Sequence, residues 1–369
     1  KFEPYVEKTE TKDTNWENGV ESDADAAEKL FRLYPHWVYC LENLYVFDNV
    51  NYDGQRTRLN QLDEMMTYIE TGNQKGVALD VDVMQAMFEN TNGNANGNFT
   101  FSSVKQLKDQ CFELDQSIVE GYFQAVSDVS FTDQSAWNGQ AGRVSSSTGE
   151  NYRMFDENGW EYAEMIEKTI MGAVFYYRAT SVYLTDEGME VDNEEIIAGE
   201  GTAMEHHWDE AYGYFGASDS FPNEVEKARY WAKYCNRRDP YLATNTSMGL
   251  AFRKGRQAIK VQRYDVRDEA METVKMEWER VIAGSAVHYI NESIANMSDD
   301  YTRNHTLSEA YAMVNCLFYN VDRSISLNEI NAIKADIGTN FYEVTLEGLQ
   351  AARDKLAEIY DMNGAKTLL

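Results

Sequence analysis

Apolar residues recur at every third or fourth position through most of this chain. Val104, Leu107, Cys111, Leu114 and Ile118 step by three and four, and Ala163, Ile166, Ile170, Ala173 and Tyr177 repeat the pattern. Further lines run through Leu59, Leu62, Met66 and Ile69, then Val225, Ala228, Trp231 and Cys235, then Met248, Phe252, Gly255 and Ile259. The last three are Val274, Trp278, Val281, Ser285 and His288; Leu307, Ala310, Val314 and Leu317; and Leu346, Leu349, Leu356 and Ile359. Such spacing draws one apolar line along a helix of 3.6 residues per turn. Alternating strand pattern is almost absent.

The expected fold is therefore all-α. Roughly eight to ten helices would bury their lines against antiparallel neighbours, as an up-down bundle or two packed bundle halves. Only four prolines interrupt 369 residues. Residues 1–22 are polar and aperiodic and read as a flexible lead-in, with one helical domain over 23–369. A helix from Asp23 would end at Pro35, and Tyr45-Val46-Phe47 reads as a short extended piece. The loops at 90–103 and 138–151 are rich in Gly, Asn and Ser. The second divides the domain into candidate halves, 45–137 and 152–369. A helix is expected from about Glu157 to Leu184, after a turn at Asp156-Glu157-Asn158-Gly159.

Net charge is −29, from 62 acidic and 33 basic residues. Such a surface repels phosphate backbones, which excludes nucleic acid as a partner, and suits a salty or extracellular setting. No apolar run is long enough for a transmembrane segment. Cys40, Cys111, Cys235 and Cys316 are too dispersed for a cysteine zinc site. Cys111 and Cys316 lie on apolar lines and read as buried thiols; a disulfide stays open.

Two of the five histidines fall in Glu205-His206-His207-Trp208-Asp209-Glu210. Thr202 and Glu205 have capping-box spacing, and Gly216 suits a left-handed cap, giving a helix from Ala203 to Phe215. On it His207 and Glu210 share a face, as His206 and Glu210 do after a slight rotation. Imidazole with carboxylate is the usual donor set for zinc, iron or manganese. Glu205 as a plain cap, Asp209 as a solvated acid and His207 as a core histidine fit the same spacing. His305 precedes Thr306-Leu307-Ser308-Glu309, a second capping-box spacing at an expected helix start, with His305 and Glu309 facing another helix. His288 sits on an apolar line, where packing is the plainer role. Gly255 inside a helix implies close packing, and Arg253 or Arg256 suits a buried carboxylate or an anionic ligand. Asn49 to Gly54 opens like a calcium loop, but Asn60 stands where the acid is required, so it reads as a turn. No GxGxxG, P-loop, G-x-S-x-G or His-Glu-x-x-His motif occurs.

The sequence resembles a family of Bacteroidota proteins, the domain of unknown function 4856. The resemblance rests on Gly54-Gln55-Arg56-Thr57-Arg58-Leu59 with Leu62 and Tyr68, on the run from Met204 to Gly216, on Ala251-Phe252 with Gly255-Arg256 and Ala258-Ile259, and on His305 to Glu309. It covers about residue 45 to the end. It implies an exported protein, periplasmic or anchored at the outer membrane as a lipoprotein. It implies imelysin-like and TonB-dependent receptor companions, and iron or haem acquisition. Imelysin-like proteins are all-helical and carry G-x-H-x-x-E; His207 and Glu210 match it, while Glu205 replaces its glycine. The expected metal ligands are accordingly His206, His207, Glu210, His305 and Glu309. Tyr212, Tyr214 and Arg256 would assist a bound iron or zinc, ferric or divalent. Three functions stand open: a non-enzymatic metal or metal-chelate binder, a structural subunit with a buried His-Glu network, and a metal-dependent hydrolase with Glu210 as base.

Overall fold

A computed structural model describes residues 44–91 and 97–369. The lead-in at 1–22, the helix expected from Asp23, and Cys40 lie outside the described residues. Twelve α-helices stand among those described. They are α1 Asp53–Thr71, α2 Val81–Glu89, α3 Glu113–Ser130, α4 Tyr162–Ile170, α5 Asp186–Met189, α6 Ala203–Phe215, α7 Tyr230–Leu242, α8 Thr244–Lys260, α9 Tyr264–Ala295, α10 Asp300–Cys316, α11 Leu327–Ile337 and α12 Leu346–Ile359. A single antiparallel hairpin, β1 Gly142–Ser145 with β2 Tyr152–Phe155, accompanies them, with Gly142 opposite Phe155.

Helix α9 is the axis of the fold. At 32 residues it is about 48 Å long. Val274, Trp278, Val281, Ile282, Ala286, Val287 and Ile290 are all fully buried and point to different sides of it. A helix apolar on every side must be covered on every side. Helices α7, α8, α10 and α12 pack around it. Helix α10 follows after a four-residue turn and packs antiparallel beside it; Leu307, Ala310, Met313 and Val314 are equally buried. Helix α4 then covers α10, with α1 and α3 outside it. One buried cluster runs from Tyr45 to Leu369.

The all-α expectation holds, and several local expectations are corrected. The line from Val104 to Ile118 is not a helix face. Val104 is 81 % and Leu114 72 % exposed, and α3 begins only at Glu113. That helix buries a different line, Val119, Phe123, Val126 and Val129. Val225 lies in a 3-10 turn before α7. The helix expected over 157–184 starts at Tyr162, and beyond Ile170 it widens into π-turns over Met171–Tyr176 and Ala179–Tyr183. The 138–151 segment contains β1 and part of the β-hairpin turn rather than only a loop. Tyr45 runs in irregular chain, its amide donating to the carbonyl of Asp219 at 2.6 Å. Cys111, Cys235 and Cys316 are buried free thiols. Among the described residues no helix is long and apolar enough to cross a membrane.

Candidate metal centre

The site assembles where α4, entered through a tight turn, packs against α10. Asp156 Oδ1 accepts from the amides of Asn158 and Trp160 at 2.9 and 2.8 Å, which closes the turn expected there. Gly159 takes φ of 87° in that turn, a conformation suited to glycine. The chain then reaches Glu161, the residue before α4, whose amide donates to Ser308 Oγ on α10 at 2.9 Å. That bond fixes the start of α4 against the middle of α10. From there Glu161, Glu164 and Lys168 follow one line, three and four residues apart.

Helix α10 presents His305 and Glu309 to that line. It starts at Asp300, with the Asp299 carboxylate accepting from the Tyr301 amide. Thr306 and Glu309 are therefore mid-helix and form no capping box: Asp299 caps the helix about two turns before Thr306. The Thr306 hydroxyl donates back to the Thr302 carbonyl at 2.9 Å. Glu309, freed from capping, lies one turn after His305 on the same face.

The donor atoms converge. His305 Nδ1 is 2.8 Å from Glu161 Oε2 and 3.7 Å from Glu164 Oε1, and its Nε2 is 3.3 Å from Glu309 Oε2. One atom from each of Glu161, Glu164 and His305 lies within 4.8 Å of the others, so the three can hold a metal ion. Two donors at 2.1 Å from a tetrahedral ion are roughly 3.4 Å apart, so the set needs only small shifts to close on one. Glu309 faces the opposite ring nitrogen; it orients the imidazole rather than joining the donor set.

Cations already neutralise the cluster. Lys168 Nζ is 2.8 Å from Glu164 and 3.2 Å from Glu309, and also contacts Glu167. Arg153, carried by β2, bonds Glu161 at 3.2 Å and touches His305 Nδ1. Burial works against a charged imidazole, but Glu161, Glu164 and Glu309 together push His305 up to about 9. A protonated ring donates from Nδ1 to Glu161 and from Nε2 to Glu309. Burial also opposes ionisation of both nearby carboxyls. At Glu164 the Lys168 and His305 charges prevail and hold it below the usual range, whereas Glu309 is left raised by burial and by Glu164. His305 and Glu164 form the wall between two clefts, one of about 720 Å³ and one of about 560 Å³.

The Ala203–Phe215 segment forms a separate arrangement. The capping box of Thr202 and Glu205 is present, and Gly216 closes α6 with φ of 83°. His207 Nδ1 is 2.6 Å from the Gly188 carbonyl. Glu210 accepts from Gln55 at 2.6 Å and lies 3.9 Å from His206 Nε2. Neither His305 nor Glu309 shares a bond with these three among the described residues. Arg256 is fully buried between Glu205 and Asp209, its Nε 2.9 Å from Asp209 Oδ1, which also accepts from Tyr45 at 2.6 Å. Burial, reinforced by Glu205, raises Asp209 to about 6 in spite of Arg256. Tyr212 stacks on Tyr45 at 3.7 Å and donates to the Ser218 carbonyl at 2.6 Å, while Tyr214 is wholly buried with no hydroxyl partner. Burial raises both phenols. Trp208 packs on α8 where a Cβ on Gly255 would lie 1.9 Å from its ring, and its indole donates to the Phe252 carbonyl at 2.9 Å. The close packing expected at Gly255 is thus present.

Of the residues expected from sequence, His305 and Glu309 lie in this cluster; Glu161, Glu164, Arg153 and Lys168 were not singled out there. The acids flank the apolar line of α4 and read as its solvent face. Comparison with known proteins gives one relationship. No curated protein and no solved structure matches the chain. Residues 45–361 match the family described as "Domain of unknown function (DUF4856)", and the protein belongs to that family.

Proposed function

We propose that this protein is a non-enzymatic binder of a metal ion or a metal-bearing ligand, and that the metal is taken by Glu161, Glu164 and His305. The observation that carries the reading is the convergence of three donors from two helices beside two clefts, with Glu309 behind the imidazole. Two carboxylates and one imidazole are a hard-to-borderline set, suited to zinc, manganese or iron. The clefts leave room for water or a chelate on the remaining positions. Arg153 stands over the donors and would turn out into its cleft as the metal replaces it and the proton on Nδ1. The acidic surface and the resemblance to exported envelope proteins support a role in metal or iron acquisition outside the cytoplasm, beside partners such as a TonB-dependent receptor.

A titration tests this. Zinc, manganese(II) and iron(II) are added to metal-stripped protein in a calorimeter, with His305→Ala and a His207→Ala, Glu210→Ala variant alongside. Saturable one-site binding that His305→Ala removes and the double variant keeps is the expected result. Binding lost only in the double variant would move the site to α6.

A second reading has its own observation. Lys168 and Arg153 already neutralise the carboxylates, so the cluster also suits a buried ion network that fixes α4 against α10. On that reading no metal binds and His305→Ala lowers stability alone.

A further inference from the structure

The larger of these two clefts contains positive charge that no carboxylate pairs with among the described residues. Four of its five carboxylates are engaged: Asp63 by Arg229 and Tyr230, and Glu164, Glu167 and Glu309 by Lys168; the fifth, Glu292, is about half exposed, 3.8 Å from His288. The adjacent Arg237 and Arg238, with Lys233 one turn before them on α7, also line it, and none forms an ion pair with a carboxylate within 4 Å among the described residues. Arg238 is only 6 % exposed, and its Nε and Nη1 are buried without a protein acceptor. It is the only residue with two such atoms among those described. A buried guanidinium without counter-charge is costly. It is more notable in a chain where acids outnumber bases 62 to 33. The positive field is felt nearby: burial first, and then Arg238, hold the His288 imidazole below its usual range. Tyr234 and Tyr289 line the same cleft; their hydroxyls are 3.1 Å apart, and that of Tyr234 donates to Glu309 at 3.4 Å.

We infer that the cleft binds a small oxyanion-bearing ligand, with Arg238 gripping a carboxylate or phosphate group. A planar guanidinium matches either group through two parallel N–H bonds. Exposed Lys233 and Arg237 attract the anion to the mouth. Glu164 and His305 of the metal set also line this cleft. Glu161 does not line this cleft, so the two can be tested apart.

The experiment is calorimetric titration of citrate and of inorganic phosphate into the metal-stripped full chain. At least one is expected to bind saturably, and the stronger of the two identifies the group. Arg238→Met should weaken it roughly tenfold to a hundredfold, while raising the melting temperature without ligand, because an unpaired buried charge is gone. A merely structural Arg238 would lower it. Lys233→Gln with Arg237→Gln should weaken binding several-fold and flatten its salt dependence. Glu161→Gln should bind the anion as wild type does, whatever it does to metal. Binding of neither anion overturns the inference, as does unchanged affinity in Arg238→Met. Should that variant fail to fold, unchanged affinity in the Lys233, Arg237 double variant overturns it as well.

Discussion

Glu309 lies behind His305: its Oε2 is 3.3 Å from Nε2, while Nδ1 on the far side of the ring points at Glu161, 2.8 Å away. The carboxylate thus fixes which nitrogen faces the candidate metal position. A metal on Nδ1 would leave Nε2–H donating to Glu309, the usual arrangement of a ligating histidine and its orienting acid.

Glu309→Gln should therefore weaken metal binding without abolishing it. The expected loss is about 10- to 100-fold in affinity, whereas Glu161→Gln removes a donor and should reduce binding further. Calorimetry on both variants separates the roles; equal losses would place Glu309 among the ligands.

The metal-free protein should lose stability as pH rises. His305 is raised from 6.5 to about 9, so its stabilising charge is fully present below pH 6.5 and lost as pH climbs through 9. The group contributes up to about 3 kcal/mol. Urea midpoints from pH 6 to 10 should fall for the wild type. His305→Gln should be less stable at pH 6 and should fall much less.

Gly255→Ala should invert the usual rule. Alanine normally stabilises a helix interior by about 1 kcal/mol relative to glycine. Here the added Cβ would lie 1.9 Å from the Trp208 ring, which is fully buried. A net loss of about 1–3 kcal/mol is expected, read as a lower denaturation midpoint with Trp208 fluorescence shifted.

Arg256→Met should destabilise strongly while leaving metal binding in place. It strands Asp209 and Glu205, both buried, without their counter-charge. Breaking such a pair costs about 3–5 kcal/mol. Denaturation and metal titration on the one variant check both halves of the statement.

Helix existence was legible in the sequence because burial of one face imposes a 3.6-residue period, as in α8, where Met248, Phe252, Gly255 and Ile259 are all buried. The line from Val104 to Ile118 carried the same period and no helix face. Spacing alone does not tell whether a neighbour covers a line, and Val119, Phe123 and Val126 had the neighbour instead. The distinctive run from Glu205 to Gly216 advertised a site, yet much of its chemistry is spent on packing: Trp208 on Gly255, Asp209 and Glu205 on Arg256. His305 and Glu309 drew notice through a capping-box spacing at an expected helix start, although the helix starts at Asp300 and both are mid-helix. Glu161 could not be found from spacing, since its partner His305 is 144 residues away and only the contact of α4 with α10 brings them together.

The most direct test of the metal centre is anomalous diffraction from crystals of the protein soaked in zinc or manganese(II). The account predicts one strong peak about 2.0–2.3 Å from Glu161, Glu164 and His305 Nδ1, with Arg153 turned away into its cleft. A peak between His207 and Glu210, or none at all with Arg153 still seated on Glu161, would contradict it.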